Sequence, residues 1–439
     1  MRILFANYRY FVSGGPERYL FNASAALEAR GHELIPFSVD YTRNVATPYS
    51  RYFVDPSGGR DAVYFKEQRN TPKTVLKTLS RVFYAPDVER AVTRLVHETQ
   101  PDVAYVLHYL RKLSPSLLVG LKKAGLPIVV RLSDYQMLCP QAHLLKDSKP
   151  CRLCMGGNLL PSIRHRCVQG SFAASAINAA ATWFHRMRGY FDLIDVFVVT
   201  NPFMKHMMLS AGYPEKRLRL IPTFVDTETF RPVPASARGN YIAFAGRLEF
   251  IKGAHVLLEA FANLRQTRAD VNWVLKLAGS GDECYMKSLR QRTQDLGIQD
   301  SVDFVGDLNT SALAEFLARA RLTVIPSLCY ENLPNVLLES YACGTPVMAS
   351  AIGSLDGAVV DDITGYRFEA GNPQALADRL AKAWDHPELI AAMSSEARRV
   401  AETQYSEPEH VPALEALFGE LTQSRPLSAA WAAPLESTR

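Results

Sequence analysis

Long apolar runs are missing from this sequence, and so is any strong excess of charge. No run reaches the ~18 apolar residues that a membrane-spanning helix needs. The net charge of the 439 residues is only +5, which favours acidic ligands or a membrane surface over nucleic acid as partners. Residues 1–7 become polar too soon for a signal peptide, so we expect a cytoplasmic protein that could work at the inner face of the membrane.

Cysteine is scarce, and its seven residues are unevenly spread. Three are scattered and predict small core or loop positions. The other four cluster in the first half of the chain: Cys139, Cys151, Cys154 and Cys167. In a cytoplasmic protein such a cluster indicates metal rather than disulfides. Four thiolates could close a tetrahedron around one structural zinc, with His165 as a substitute ligand, and four reduced, partly buried thiols are the alternative.

The rest of the composition is that of an ordinary globular protein, with 48% hydrophobic and 21% charged residues. Short β-branched runs alternate with helical patterns, which predicts an α/β fold with parallel sheets and enough length for two domains. We divide the chain into a first domain (1–222) with a cysteine-rich insertion (about 139–170), a linker (223–239), a second domain (240–404), a terminal helix crossing back to the first domain (405–423) and a disordered tail (424–439).

The most informative stretch covers residues 326–344. The predicted strand before it, 322–325, ends where doubly wound folds bind their ligands. A helix is predicted over 335–343, with Asn332 as its N-cap and Pro334 in a first turn that has no use for its missing N–H. The backbone N–H groups at the start of this helix, around Leu333 to Asn335, could bind a phosphate.

Two carboxylates frame this predicted phosphate site. Glu331 lies in the loop and Glu339 in the helix, in the spacing Glu-x7-Glu. One carboxylate could bind ligand hydroxyls on one side of the phosphates, and the other could bind hydroxyls on the opposite side. Two solvated glutamates near a helix start are the alternative interpretation, because helix N-termini favour acidic residues in any case.

A glycine-containing turn follows the first predicted strand of each domain. Gly246 opens a turn with Arg247 and Lys252, a pattern suited to phosphate because arginine binds two oxygens and lysine acts as a point charge. An ordinary basic loop is the alternative. The pair Gly14 and Gly15 follows the first predicted strand and could let a phosphate approach the backbone, although a plain turn is the usual meaning of such a pair.

These patterns together resemble the donor site of the retaining glycosyltransferases of family 4, also called glycosyl transferases group 1. The resemblance rests on Glu331-x7-Glu339, the segment 342–350, Gly365-Tyr366, the Gly-Arg-Leu-x3-Lys-Gly turn at 246–253 and the glycine pair after the first strand. It implies the GT-B fold, in which two Rossmann-like domains face each other across a cleft. The first domain would then lie on the acceptor side, and the second would bind a nucleotide sugar.

The resemblance also implies an activity and roles. The chain would be a hexosyltransferase-type enzyme that moves a sugar from a nucleotide diphospho-sugar to a hydroxyl of a carbohydrate or lipid-linked acceptor, in surface polysaccharide or glycolipid assembly. The attack would come from the front face, with the leaving phosphate helping to take the proton. The implied catalytic residues are Arg247, Lys252 and Glu331, and the implied donor-binding residues are Gly14, Gly15, Gly246, Leu333, Pro334, Asn335 and Glu339.

No Asp-x-Asp occurs in the sequence, which argues against a catalytic divalent metal on the diphosphate. The chain departs from the family at Ser133, where a histidine is common, so only Ser133 and Asp134 remain as acceptor-side candidates. A turn residue is the alternative role for Asp134. The departure keeps open an impaired nucleotide-sugar-binding scaffold, and an epimerase of the same fold is a further alternative. A basic, aromatic helix over 170–190 could rest on anionic lipid or be a solvated face.

Overall fold

The computed structural model describes residues 1–63, 67, 71–147 and 149–423 of the chain. The predicted tail at 424–439 therefore lies outside the described residues. Over residues 1–222 the helices and strands are β1 (Arg2–Ala6), α1 (Gly15–Ala29), β2 (Glu33–Phe37), α2 (Pro72–Phe83), α3 (Pro86–Thr99), β3 (Val103–Val106), α4 (Ser116–Lys123), β4 (Ile128–Arg131), β5 (Leu145–Lys146), β6 (Lys149–Pro150), α5 (Leu160–Arg164), α6 (Phe172–Met187), β7 (Val196–Val199), α7 (Pro202–Ser210) and β8 (Leu218–Leu220).

Six of these strands form one parallel sheet in the order β2-β1-β3-β4-β7-β8. The central strands β3, β4 and β7 are fully buried, in keeping with their valine-rich sequences. The cysteine-rich insertion between β4 and β7 adds nothing to this sheet. It contains the antiparallel pair β5–β6 and the short helix α5, and it leads into α6.

The second domain repeats the α/β alternation. Its elements are β9 (Tyr241–Ala245), α8 (Ala254–Thr267), β10 (Val274–Ala278), α9 (Glu283–Asp295), β11 (Val302–Gly306), α10 (Thr310–Ala318), β12 (Leu322–Ile325), α11 (Asn335–Ala342), β13 (Val347–Ser350), α12 (Ser354–Ala358), β14 (Gly365–Phe368), α13 (Pro373–Asp385), α14 (Pro387–Gln404) and α15 (Glu407–Gln423). The six strands pair in parallel in the order β11-β10-β9-β12-β13-β14. Strand β12 lies next to β9, so the loops after these two strands meet at one edge.

The last helix, α15, returns to the first domain and packs on α1 and β3. His410 anchors it, because Nδ1 donates to the Pro222 carbonyl over 2.6 Å and Nε2 lies 2.9 Å from the Tyr19 hydroxyl. The two chain crossings between the domains run side by side, since the Val225 N–H donates to the Tyr405 carbonyl over 2.8 Å. No helix among the described residues is both long and apolar enough to pass through a membrane.

Candidate active site

The best-defined pair of charges in the cleft is Lys252 and Glu331. Lys252 Nζ lies 2.6 Å from Glu331 Oε1, and Ser327 Oγ donates to the same oxygen over 2.7 Å. Burial alone would raise the pKa of Glu331, but the Lys252 charge and the two hydrogen bonds outweigh it and lower that pKa. Burial opposes the charge of Lys252, yet Glu331 raises the pKa of the amine. Both groups are therefore charged at neutral pH.

A close backbone approach brings this pair together. Gly253 has φ +73°, and a Cβ at this position would lie 1.8 Å from the Pro326 carbonyl oxygen, so only glycine fits. The Leu328 N–H donates to the Ile251 carbonyl over 2.9 Å and ties the same two loops. The loop after β9 is thereby held against the loop after β12, which places Lys252 beside Glu331.

Arg247 belongs to the same loop but has a different environment. Its side chain is 64% exposed and donates to Glu249 over 2.6 Å. Its partner is Glu249 rather than Glu331, although its charge helps to lower the pKa of the Glu331 carboxyl. The loop is supported from below by Gly279, where a Cβ would lie 2.0 Å from the Gly246 carbonyl oxygen. Arg247 is therefore held by Glu249 on the solvent side of the loop.

The start of α11 differs from the prediction in one respect, because Asn332 is not its N-cap. Pro334 takes that position, and no described side chain caps the helix. Asn332 instead bridges the domains: its amide donates to the Leu132 carbonyl over 2.8 Å, and its Oδ1 accepts from Thr200 Oγ1 over 2.6 Å. The prediction was wrong because the spacing suited a cap, whereas the cross-domain partners are invisible in the sequence.

Leu333, between Asn332 and the helix, has φ +122°, which is rare for a residue with a side chain. Such strain persists only where surrounding contacts hold the backbone, and it is concentrated at functional sites. Here the Asn332 bonds hold one side of Leu333, and Pro334 begins the helix on the other. The uncapped N-terminal turn of α11, which the sequence analysis assigned to phosphate binding, follows directly.

Glu339, one turn into α11, is buried at 4% exposure and forms an ion pair across the domains with Arg18 of α1. Burial raises the pKa of Glu339, and the Arg18 charge only partly offsets this rise. The sequence analysis missed Arg18, since nothing local in the sequence marks a partner in the other domain. The glycine pair lies nearby: the Asn335 amide is 3.5 Å from the Gly15 carbonyl, so the turn after β1 contacts the start of α11.

The acceptor-side candidates lie at the end of β4. Ser133 Oγ accepts from Arg131 over 3.0 Å. Asp134 Oδ1 accepts the Gln136 N–H over 2.8 Å, which is the turn role, while its Oδ2 lies 3.5 Å from Nε2 of His108. One carboxylate oxygen of Asp134 is thus occupied by the backbone, and the other faces an imidazole.

Tyr135, just before the insertion, contacts the donor loop, and charges of that loop act on His143 within the insertion; the sequence analysis assigned a role to neither residue. The Tyr135 hydroxyl donates to the Glu331 carbonyl over 3.3 Å. Desolvation by the surrounding protein lowers the pKa of His143, although part of the side chain is exposed. The charges of Asp134, Arg247 and Glu331 also act on this imidazole. The segment that leaves β4 and leads into the insertion therefore forms a wall of the cleft next to Glu331.

The four clustered cysteines line one small pocket together with His165 and Lys146. All are free thiols, and Cys139 and Cys154 are buried. Burial, with a contribution from the other three thiols, raises the pKa of Cys154 to about 11. As their side chains stand, no three histidine, cysteine, aspartate or glutamate residues in the described ranges form a group that could hold a metal ion.

Known glycosyltransferases resemble the C-terminal half of the chain in sequence. Residues 226–400 match the model of the family described as glycosyl transferases group 1. The match covers the C-terminal domain, which is less than half of the chain. Relatives of this group 1 domain include D-inositol 3-phosphate glycosyltransferases of Acidothermus cellulolyticus (31% identity over 46% of this chain and 49% of the relative) and Frankia alni (36% identity over 39% and 45%). The chain spans about half the length of the curated relatives it matches.

Solved structures resemble nearly the whole chain. Sucrose-phosphate synthase from Thermosynechococcus elongatus superposes with a TM-score of 0.73 at 18% identity, over 97% of this chain and all of the other. Anabaena HepE in complex with UDP gives a TM-score of 0.66 at 18% identity, over 96% and 100%. These likenesses show the fold, and the two parallel-sheet domains of this chain are those of the GT-B fold. The predicted fold and the predicted family resemblance are confirmed.

Proposed function

We propose that the chain is a retaining glycosyltransferase that moves a sugar from a nucleotide diphospho-sugar to a hydroxyl of a carbohydrate or lipid-linked acceptor. The observation that carries the proposal is the half-buried ion pair between Lys252, in the loop after β9, and Glu331, in the loop after β12. It joins the two sequence motifs that resemble a donor site. The relatives named as glycosyltransferases agree with it, and HepE, described with UDP-glucose, recommends uridine nucleotides as the first donors to try.

In this proposal the site acts on the leaving group. Negative charge on the nucleoside diphosphate grows as the sugar bond breaks, and Lys252, Arg247 and the N-terminus of α11 are placed to stabilise it. Each preorganised donor of this kind contributes about 3 kcal/mol to the transition state. Lys252 is held ready by Glu331, while the exposed Arg247 can close on the phosphates.

Retention follows most simply from front-face attack. Glu331 is the carboxylate nearest to the proposed phosphates, but one of its oxygens already accepts from both Lys252 and Ser327. A carboxylate so engaged is better suited to binding sugar hydroxyls than to forming a covalent sugar intermediate. The leaving phosphate would then accept the proton of the acceptor hydroxyl. Glu339 would bind the ribose after Arg18 moves aside.

A donor panel without acceptor tests the reaction class. Wild-type protein should slowly hydrolyse one nucleotide sugar, and Lys252→Ala should abolish this hydrolysis while the exposed Lys287→Ala leaves it intact. Interconversion of two nucleotide sugars would identify an epimerase instead. Binding without turnover, in the presence of candidate acceptors as well, would identify a scaffold.

A lipid-linked acceptor suits one surface of the first domain. Helices α2 and α6 pack together, and Phe172, Trp183 and Met187 lie on one face of α6 with 57–61% exposure. Leu76 of α2 is 71% exposed. With neighbouring lysine and arginine residues, this aromatic, basic surface is suited to anionic lipid. Flotation with anionic vesicles should fall for Trp183→Ser, and equal flotation of both proteins would remove the membrane contact from the proposal.

A further inference from the structure

The four clustered cysteines come from four separate turns of the insertion. Cys139 ends the turn after β4, Cys151 follows β6, Cys154 lies in the next turn and Cys167 follows α5. They nevertheless line a single small pocket. Backbone bonds fix two of them in place, since the Cys151 N–H donates to the Leu144 carbonyl over 2.7 Å and the Cys167 N–H donates to Ser162 over 3.0 Å.

The insertion has only a small apolar cluster of its own. That cluster contains Cys154, Leu159 and Ala179 of the adjacent α6 as buried members, while Cys139 and Leu144 join the large core of the first domain. Leu153 and Leu160 are 54% and 70% exposed. By contrast, the large clusters under both sheets contain dozens of buried side chains. A segment of this length with so small a core requires another source of stability.

The backbone of the insertion is also unusually strained. Ten non-glycine residues of the described chain have positive φ, and five of them lie in this segment: Ala142, Leu144, Asp147, Arg166 and Gln169. Each such residue costs about 1 kcal/mol or more, so the conformation needs contacts that fix it. The convergence of four thiols is the feature that can supply them.

We propose that Cys139, Cys151, Cys154 and Cys167 bind one structural zinc ion. Each thiol releases its proton to water and forms one Zn–S bond of about 2.3 Å, so that four thiolates close the tetrahedron. The thiols must rotate onto a common centre, because their present side-chain positions do not form such a group. The complex carries a net charge of −2, and Lys146, which lines the same pocket, lies where it offsets that charge.

The metal acts by cross-linking four turns. Its binding energy becomes folding energy for the insertion, because the ligands are brought together only in the folded chain. Tyr135, which bonds the donor loop, lies just before Cys139, and His143, on which the charge of Glu331 acts, lies within the insertion. The zinc therefore fixes the wall of the cleft beside Glu331, although it has no position left for substrate.

Metal content decides the proposal directly. Full-length protein, purified in reductant without a metal-affinity tag, should contain about one zinc per chain by elemental analysis. Cys154→Ser should lose the metal, whereas Cys284→Ser, which removes an exposed cysteine of the other domain, should keep it. Because Cys154→Ser could misfold, apo wild-type protein should also be titrated with Co²⁺, and the thiolate–cobalt absorption should saturate at about one equivalent.

Two results would overturn this inference. One is less than about a tenth of a zinc in fresh, reduced wild-type protein together with no cobalt–thiolate absorption. The other is a thiol titration of denatured, unreduced protein that falls four short of the seven cysteines, which would mean two disulfides. Neither measurement depends on the proposed glycosyl transfer, so the zinc site and the proposed function fail separately.

Discussion

The two walls of the cleft are built in different ways. On the C-terminal side, Lys252 and Glu331 stand on loops that leave neighbouring strands, β9 and β12, and Gly253 allows these loops to touch. On the N-terminal side, the insertion leaves β4 and returns only at α6, with a minimal core of its own. The first wall takes its geometry from the sheet beneath it, and the second, in our proposal, takes part of its geometry from a zinc site. We therefore expect mutations in the first wall to change the rate of turnover, and mutations in the second wall to change stability.

The largest expected effect concerns the sheet-supported wall. Lys252→Ala and Glu331→Gln should each lower kcat/KM by at least about 100-fold. The first removes the positive charge that stabilises the leaving diphosphate, and the second removes the carboxylate that holds the Lys252 amine in position. Lys287→Ala, an exposed ion-pair lysine, serves as the control. Steady-state kinetics with the donor found in the panel would measure the loss.

Breaking a half-buried ion pair also destabilises the fold, so the comparison needs a variant that separates the two effects. The double variant Lys252→Met with Glu331→Gln removes both charges together. It should unfold at a denaturant concentration close to that of wild type yet stay inactive. Full activity in this variant would show that the pair only supports the fold.

The next effect tests how α15 is attached to the first domain. Burial lowers the pKa of His410 to about 3 from 6.5, so the imidazole stays neutral in the folded chain. Between these two values the unfolded chain binds the extra proton, and stability falls as pH decreases. The loss approaches about 1.4 kcal/mol per pH unit.

Urea unfolding at pH 7 and pH 5 would measure this effect. Wild type should lose up to about 2 kcal/mol more than His410→Gln over that interval. His206→Gln, at an exposed histidine, should behave as wild type does. Parallel losses in wild type and His410→Gln would place the acid sensitivity elsewhere.

A smaller effect is expected at the ribose position. Glu339→Ala should raise the donor KM by about 10-fold with little change in kcat, since ribose contacts are alike in the ground and transition states. Glu259→Ala, at an ion pair on α8, is the matched control. A reduced kcat with an unchanged KM would assign Glu339 to the transition state instead.

The smallest effect separates catalytic from structural metal. A short incubation with EDTA should leave the rate unchanged, because the sequence has no Asp-x-Asp and the proposed zinc is enclosed by four thiolates. The rate with and without added Mg²⁺ checks this. An absolute requirement for Mg²⁺ or Mn²⁺ would contradict the metal-free mechanism.

Sequence reasoning reached the fold and the donor motifs because both are local. Strand, turn and helix positions follow from periodicity, glycine and proline, and the strand ends of a doubly wound sheet place motifs at one edge. The contacts that cross between the domains were out of reach. Arg18 meets Glu339, and Asn332 meets Thr200 instead of capping α11, because such partners depend on how two folded bodies meet. The roles assigned to these residues remain predictions.

The paired crossings at Val225 and Tyr405 have a mechanical consequence. Two bodies joined by one strand of chain can bend and also swivel about it. Two strands lying side by side still bend, but swivelling would wind one round the other. The paired crossings therefore restrict motion between the domains to bending about one axis, which moves the loops after β9 and β12 toward or away from the first domain. Any chain that ends before α15 keeps a single strand at this joint and loses this restriction.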